Sequence, residues 1–496
     1  MKKYLYVFII FSISAIIYLA YPFYFIDKKK TSPGFVSITD NIFRFHEKIF
    51  FPMVLNCKIS LQTDGKNLWP CIFPDYNSDS KHKFTTKESC LKQLMSEFEM
   101  ISEMGFNTIR IVGIGELNFD KTAQKLSISA STGNEGHKEI SFREDENYKE
   151  YFNAIRDLLF IASSNGLKVI FLIQTLPGYS LPEQHLIKFV SEFNSDSTIL
   201  AYDFFNEPLY FDSLERKKTG PFEITSRWKK LMNKYAPNQL FTVGLAGVRE
   251  VFEWDPNLLA VDFVSFHPYE YEPEQVMNET YWYGKYVKKP WIIGETGFPA
   301  DDDSIPYTRQ LSFARKTLKQ VYNCGGSGYS WWQYKDVDWK VFYPNYLGVM
   351  SREGETVTKK GNLVSGKPKP ITEAFREFEN NGIKDSCVCM PNYYNYSGLN
   401  HFRLEGKLFD NNNNPIAGGV VLGWDENWVH SFYSVSKPDG SFELFGNFQY
   451  FHWMASATLF NMARGEVLPD SVKILSENLS GVNLGVLKLV PIKEIN

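Results

Sequence analysis

An α/β fold, a (β/α)8 TIM barrel followed by a small all-β sandwich, is what this 496-residue chain predicts. Three observations carry the prediction. Between about residues 35 and 380, short apolar runs alternate with segments whose apolar residues recur at helical spacing. Several of those runs stop abruptly in polar or charged residues, which is where parallel α/β folds hold their functional groups. From Phe402 the period shortens to two, with turns rich in Asn, Asp and Gly.

Taken in order, Phe51–Asn56 reads as strand one. Thr85 and Glu88 form a capping box, Leu91, Leu94, Met95, Phe98 and Ile101 follow at helical spacing, and Gly105 ends that helix. Residues 107–112 read as strand two. A polar insert, 113–145, contains a hairpin over 125–130 and 139–143. A helix through Tyr151, Ile155 and Leu159 leads to strand three at 169–173, and a helix over about 182–194 to strand four. That strand is the run Thr198–Phe205, apolar and aromatic except for Asp203, and it ends in Asn206-Glu207-Pro208. Proline, lacking an N–H, stops a ladder. Helix four surrounds Trp228, and strand five is 240–243. Strand six, 261–266, ends in His267-Pro268-Tyr269, with only a short segment near 248–254 before it. Strand seven, 291–293, ends in Gly294-Glu295, and a helix over 306–323 precedes strand eight at 328–332. Residues 371–378 supply a last helix. Residues 383–399 read as a linker, and 400–496 as the sandwich, with strands near 402–408, 418–424, 430–435, 441–444, 453–460 and 482–489.

Composition narrows the function. Hydrophobic residues make up 44% and charged residues 22%, so the chain is globular. A net charge of -4 gives no reason to expect nucleic acid. Aromatics are frequent at 16%, which suits a cleft that stacks sugar rings on aromatic faces. Residues 4–26 carry no charge, lie between Lys2-Lys3 and Asp27-Lys28-Lys29-Lys30, and are long enough to span a bilayer. We read them as an uncleaved anchor in preference to a cleaved signal, with the bulk of the chain exported. Six cysteines are too few for a disulfide scaffold; Cys57 and Cys71 stand where they could pair, and Cys387-Val-Cys389 matches no zinc spacing. No metal or cofactor is expected.

Reading only the strand ends brings forward Arg110, Asn206, Glu207, His267, Tyr269, Glu295, Trp331 and Trp332. Trp331 and Trp332 must face opposite ways, so one of them is packing. Two carboxylates from nearly opposite strands and an aromatic floor are what cleavage of a glycosidic bond needs. Arg110 is placed to keep Glu295 ionised, Tyr269 to hold it by a hydrogen bond, and Glu207, less compensated, to stay protonated. Trp69, Tyr179, Tyr210, Tyr271 and Trp339 sit in strand-to-helix loops where they could stack sugars.

The segments FNTIRI, YDFFNEP, SFHPYEY, WIIGETGFP and GYSWWQY together resemble glycoside hydrolase clan A, and most of all the cellulase and mannanase family, glycoside hydrolase family 5. That resemblance implies Glu207 as acid/base, Glu295 as nucleophile, and Arg110, Asn206 (on the sugar 2-hydroxyl), His267, Tyr269 and Trp331 or Trp332 as substrate-binding residues. It implies a retaining hydrolase of a β-linked poly- or oligosaccharide. A transglycosylase or a catalytically lapsed carbohydrate-binding barrel are the alternatives. The stretch from Phe402 to Trp424, with Lys437–Phe445, resembles a carboxypeptidase-regulatory or transthyretin-like domain, a type of module that stabilises or spaces its neighbour.

Overall fold

The computed structural model describes residues 34–77, 86–132, 136–142, 146–269, 273–380, 382, 384–389 and 401–492. The run 4–26, Thr85, Tyr271 and most of the 383–399 segment lie outside them. Among the described residues no helix is long and apolar enough to cross a membrane.

Eight parallel strands close the barrel: β1 (Met53–Thr63), β2 (Thr108–Val112), β3 (Lys168–Leu172), β4 (Ile199–Asn206), β5 (Leu240–Leu245), β6 (Val264–Phe266), β7 (Trp291–Ile293) and β8 (Tyr329–Trp331). β8 pairs with β1 through Tyr329–Met53 and Trp331–Leu55. The ring closes where Ser327 N–H donates to Trp291 O (2.8 Å) and Ile293 N–H to Gly328 O (3.2 Å). The surrounding helices are α1 (Lys87–Glu103), α2 (Glu146–Ser164), α3 (Ser180–Glu192), α4 (Thr219–Tyr235), α5 (Pro273–Tyr286), α6 (Tyr307–Asn323) and α7 (Thr372–Arg376). Between β5 and β6 there is only the 3-10 helix Val248–Phe252. The N-terminal cap of α1 is Thr86, whose hydroxyl accepts from Ser89 N–H (3.2 Å), so the cap stands one residue past the expected Thr85 and Ser89 takes the place expected for Glu88.

The strands bury both faces, which is why they read as continuous apolar runs. Outside β4, Phe204 packs on Trp228 of α4, and Phe205 packs on Trp254. At the amino end of the barrel the small sheet Ser37–Thr39, Ile42–Phe45, Lys48–Ile49 sets Val36 and Phe43 against Val54, Ile170, Leu200, Phe263 and Ile292. That plug leaves the carboxyl-end mouth for chemistry. Beside the mouth β1 overruns the barrel, hairpins with Leu68–Ile72, and pairs with the insert strand Lys125–Ser131, itself paired with His137–Ser141. The insert is thus a wall raised on β1.

The second domain is a sandwich of two four-stranded sheets. Its strands are β9 (Phe402–Phe409), β10 (Val420–Trp424), β11 (Ser431–Val435), β12 (Ser441–Gly446), β13 (His452–Ser456), β14 (Ala463–Glu466), β15 (Lys473–Ser476) and β16 (Leu479–Lys488). One sheet runs β12-β9-β16-β15, the other β11-β10-β13-β14. The second sheet packs on the barrel: Trp282 Nε1 donates to Gly418 O (2.8 Å), and the Tyr433 hydroxyl donates to the Glu279 carboxylate. Lys218 bridges to Asp255 (2.9 Å) and also donates to Ala457 O (2.7 Å). The disulfide joins Cys324 to Cys387, whereas Cys57 and Cys71 are free and buried. Cys57 looks into the barrel core and Cys71 into a separate cluster with Trp69 and Cys90, so the expected Cys57–Cys71 bond does not form.

Candidate active site

Glu207 and Glu295 face each other across the mouth. One oxygen of each, with a ring nitrogen of His267, all lie within 4.8 Å of one another. Each carboxylate is placed by the end of its strand. Glu207 is the first residue past β4 and has left-handed backbone, φ 44° and ψ 68°. A non-glycine residue held there stores roughly 1–3 kcal/mol of strain. Its N–H is held by Gly244 O of β5 (2.7 Å), and Pro208 then opens a one-turn helix to Phe211. Beneath that turn the buried carboxyl of Glu250 accepts from Leu209 N–H (2.9 Å) and Ala246 N–H (3.2 Å), tying the Glu207 loop to the end of β5.

Arg110 of β2 spends its whole guanidinium on this centre. Nε donates to Asp203 (3.0 Å), Nη1 to Asn56 (3.0 Å) and Glu295 (2.5 Å), and Nη2 to Asn206 (2.7 Å), while Nη2 also lies 2.8 Å from the Asp203 carboxylate as an ion pair. A rigid fork with five donors is matched to five acceptor contacts. Burial would discourage its charge, but Asp203 and Glu295 hold it protonated. Tyr269 donates to the other oxygen of Glu295 (3.2 Å). Its own hydroxyl is pushed up by burial and by the facing carboxylates, so it stays a donor.

His267 is fully enclosed. Its Nδ1 meets Glu207 Oε1 at 3.2 Å and Glu295 Oε1 at 3.6 Å, and its Nε2 meets Ser265 Oγ at 3.4 Å. The ring fits because its neighbours are glycines: a Cβ on Gly244 would stand 2.6 Å from its Cε1, and one on Gly294 2.7 Å from its Nε2. Burial drops its pKa to about 4, leaving it neutral near pH 7.

The two carboxyls sit in different fields. Burial lifts Glu207 to about 7, and only the Arg110 charge opposes it. Glu295 is also raised by burial and by Glu207, but the Arg110 guanidinium is hydrogen-bonded directly to it. A buried carboxylate gripped by a cation keeps its charge, so the proton of the pair resides on Glu207. The same contact bears on metal binding. Glu207, His267 and Glu295 are close enough to hold an ion, yet both Glu295 oxygens are already engaged, one by Arg110 and the other by Tyr269.

A cavity of about 250 Å³ opens over the pair, lined by Glu207, Tyr210, His267, Tyr269, Glu295 and Trp332, with Ala246 and Leu347. That is below the roughly 300–1,000 Å³ of a typical ligand pocket, and it continues into an open mouth. Exposed aromatic residues follow two of the strands that bear the site: Tyr210, which lines the cavity, and Phe211 after β4, and Phe342 and Tyr343 after β8.

Of the residues chosen at strand ends, Glu207, Glu295, Arg110, Asn206, His267, Tyr269 and Trp332 meet here. Trp331 does not. It is fully buried, donates from Nε1 to Leu347 O (2.8 Å), and packs on Phe313 and Phe375. Trp69 is likewise enclosed, beside Cys71 and Cys90, and cannot stack a sugar. Tyr179 packs on Phe119 of the insert (5.1 Å), and Trp339 lies under Lys58 (4.9 Å) with Nε1 on Asp75 (3.3 Å).

Four further residues complete the centre. Asn56 of β1 accepts from Arg110 and donates to Gly294 O (3.0 Å), Ser330 Oγ (2.8 Å) and Trp331 O (3.1 Å), lacing β1, β7 and β8. Gln174, at φ 52°, accepts from Asn206 N–H (2.9 Å). Asp203 and Glu250 are the others. Asp203 was visible as the lone charge in an apolar strand, and Asn56 and Gln174 as polar residues where strands one and three were read to end; Glu250 gave no signal.

Removing the guanidinium would strand Asp203 and Glu295 as buried charges. Arg110→Met is therefore expected to destabilise the fold by about 3–5 kcal/mol. Thermal unfolding of the variant measures this; an unchanged melting temperature would show that the network adds no stability.

No protein-family profile matches the chain, and no curated protein matches it. Among solved structures, an exo-β-1,4-mannosidase from Opitutaceae bacterium strain TAV5 aligns at 15% identity over 69% of this chain and 61% of that one, with a TM-score of 0.46. The alignment thus spans less than two thirds of that mannosidase. An endo-1,4-β-mannanase from Rhizomucor miehei aligns at 14% identity over 60% of this chain and 90% of its own, TM-score 0.41. A β-glucuronidase from Ruminococcus gnavus aligns at 14% identity over 69% of this chain and 52% of its own, TM-score 0.42. At such identities the likeness says nothing of substrate, and the chemistry rests on the site itself.

Proposed function

We propose that this protein is a retaining glycoside hydrolase acting on a β-linked poly- or oligosaccharide of the β-mannan or β-glucan class. The observation that carries the reading is the carboxyl pair: two oxygens within 4.8 Å, one carboxyl gripped by Arg110 and the other lifted to a pKa of about 7. Inverting enzymes keep their carboxyls about 6.5–9.5 Å apart to admit a water, whereas retaining ones hold them about 5–5.5 Å apart.

In the first step Glu295 attacks the anomeric carbon, and the bond to the leaving oxygen breaks as that oxygen takes the proton of Glu207. The product is a glycosyl ester on Glu295. In the second step Glu207, now ionised, removes a proton from water, the water oxygen attacks the same carbon, and the ester bond to Glu295 breaks. Two inversions return the original configuration. Asn206, anchored by Arg110 and Gln174, presents its amide to the 2-hydroxyl, and Trp332 forms the aromatic floor. The Cys324–Cys387 disulfide and the uncharged run 4–26 support export with an N-terminal anchor.

Fresh hydrolysate followed by proton NMR, after a screen on β-mannan, β-glucan and xylan, tests the mechanism. The β-anomer should appear first and mutarotate later. First appearance of the α-anomer would overturn retention.

A further inference from the structure

The turn at the tip of the β10–β11 hairpin has no part in the chemistry above, yet it is built with care. The Asp425 carboxylate accepts from Val429 N–H (2.8 Å), His430 N–H (3.1 Å) and the His430 ring (2.8 Å). Trp428 is held at φ 59°, a left-handed conformation that is unfavourable for a bulky residue, and its side chain is 53% exposed. Its ring meets Trp424 at 4.1 Å, and Trp424 stacks on His452 at 5.5 Å with 22° between the planes. Three rings are thus clustered at the edge of the sandwich, and the turn is fixed before any ligand arrives.

Its location follows from the docking contacts. α5 runs antiparallel to the barrel strands, from the catalytic rim down to Tyr286. Trp282, toward its lower end, meets Gly418, while Glu279, about one turn higher, meets Tyr433. Gly247, just past β5, lies against Glu279, so that level is the rim. Tyr433 pairs with Leu422, so β10 climbs from Gly418 to the rim, and Trp424 stands about 7 Å beyond it. Between turn and cleft lies the 3-10 helix Val248–Phe252, which packs on β10 and β13. Its Arg249 donates to the hydroxyl of Tyr210 (3.1 Å), a lining residue of the catalytic cavity. Exposed apolar side chains stand at the two ends of this route, Tyr210 and Phe211 at the cleft and Trp428 and Val429 at the turn.

We propose that Trp424, Trp428 and His452 form a saccharide-binding platform that holds a polymeric substrate beyond the cleft; this rests on the glycosidase reading. Sugar C–H faces pack on aromatic faces, and hydroxyls find partners in the flanking, exposed Glu426 and Asn427. Those flanking residues are acidic or neutral, which suits a neutral glycan and disfavours an anionic lipid surface. The occupant is a β-linked glycan chain of the kind the cleft receives.

The test compares the full chain with W428A and W428Y. Retention on insoluble β-mannan, β-glucan and xylan is measured beside kinetics on a soluble polymer and on an aryl glycoside that fills only the catalytic cavity. Wild type should be retained by at least one polymer. W428A should weaken that retention by about tenfold and raise KM on the polymer, W428Y should restore most of both, and aryl glycoside kinetics should not move. Retention equal in W428A and wild type, or wild type retained by none of the three, overturns the platform. Loss of retention in W428A by a protein that cleaves no glycoside would uphold the platform and sink the hydrolase reading. Hydrolysis with retention indifferent to Trp428 would do the reverse.

Discussion

Glu295→Gln is expected to lower kcat on the order of 10⁴-fold or more, with the fold intact. The substitution keeps the size and planarity of the side chain. A Gln oxygen still accepts from Arg110 Nη1, which stands 2.5 Å from the carboxylate oxygen, and Asp203 remains to balance the guanidinium. What disappears is the anionic nucleophile: an amide oxygen cannot form the glycosyl ester. The melting temperature should therefore change little while turnover collapses. A slow 2-fluoro glycoside, which stalls the second step, should label the wild-type peptide that contains Glu295 and leave the variant unlabelled, as read by mass spectrometry. Activity near wild type in Glu295→Gln, or label on another residue, would remove Glu295 from the role.

The parts of this site that were legible in the sequence are those whose side chains interrupt a run. Asn206-Glu207-Pro208, His267-Pro268-Tyr269 and Gly294-Glu295 each end an apolar strand with groups a core would reject. Asn56 was passed over although it ends the run Phe51–Asn56, and β1 itself continues to Thr63 with buried residues on both faces. Gln174 ends the apolar run of strand three but was passed over, and Glu250 interrupts nothing; each acts by accepting a backbone N–H brought to it by the fold. Register decided between the tryptophans. Pairing of Trp331 with Leu55 turns it outward onto α6 and α7, and leaves Trp332 at the strand end in the cavity. Strand six was read three residues too early because Val261 and Phe263 are apolar. There the Asp262 side chain, rather than a ladder, takes the Phe241 N–H (3.0 Å). The short strands β14 and β15 escaped notice because neither holds a fully buried residue, so no apolar run at period two marks them. The Cys324–Cys387 bond spans 63 residues, a pairing that spacing alone does not reveal.

Glu207→Gln should divide substrates by the acidity of their leaving groups. A sugar leaving group needs the proton, so polysaccharide turnover should fall about 10²–10⁴-fold. An aryl glycoside with an acidic phenol needs no proton to leave and should still glycosylate Glu295. The water of the second step then lacks its base, so the phenol should appear as a burst followed by a slow phase. The pH profile supplies an independent reading. Glu207 must be protonated to act first, and burial places its pKa at about 7, so wild-type activity should fall as pH rises through that value. Glu295 must be ionised, and its pKa is raised above the ordinary carboxylate value, so activity should also fall as pH drops through the raised pKa. The result is a bell whose limbs belong to the pair. In Glu207→Gln the alkaline limb should vanish while the acid limb stays, because the remaining titration is that of Glu295. An alkaline limb that persists near pH 7 in the variant would assign it to another group, and a uniform loss across leaving groups would mean that Glu207 positions the substrate without donating a proton to it.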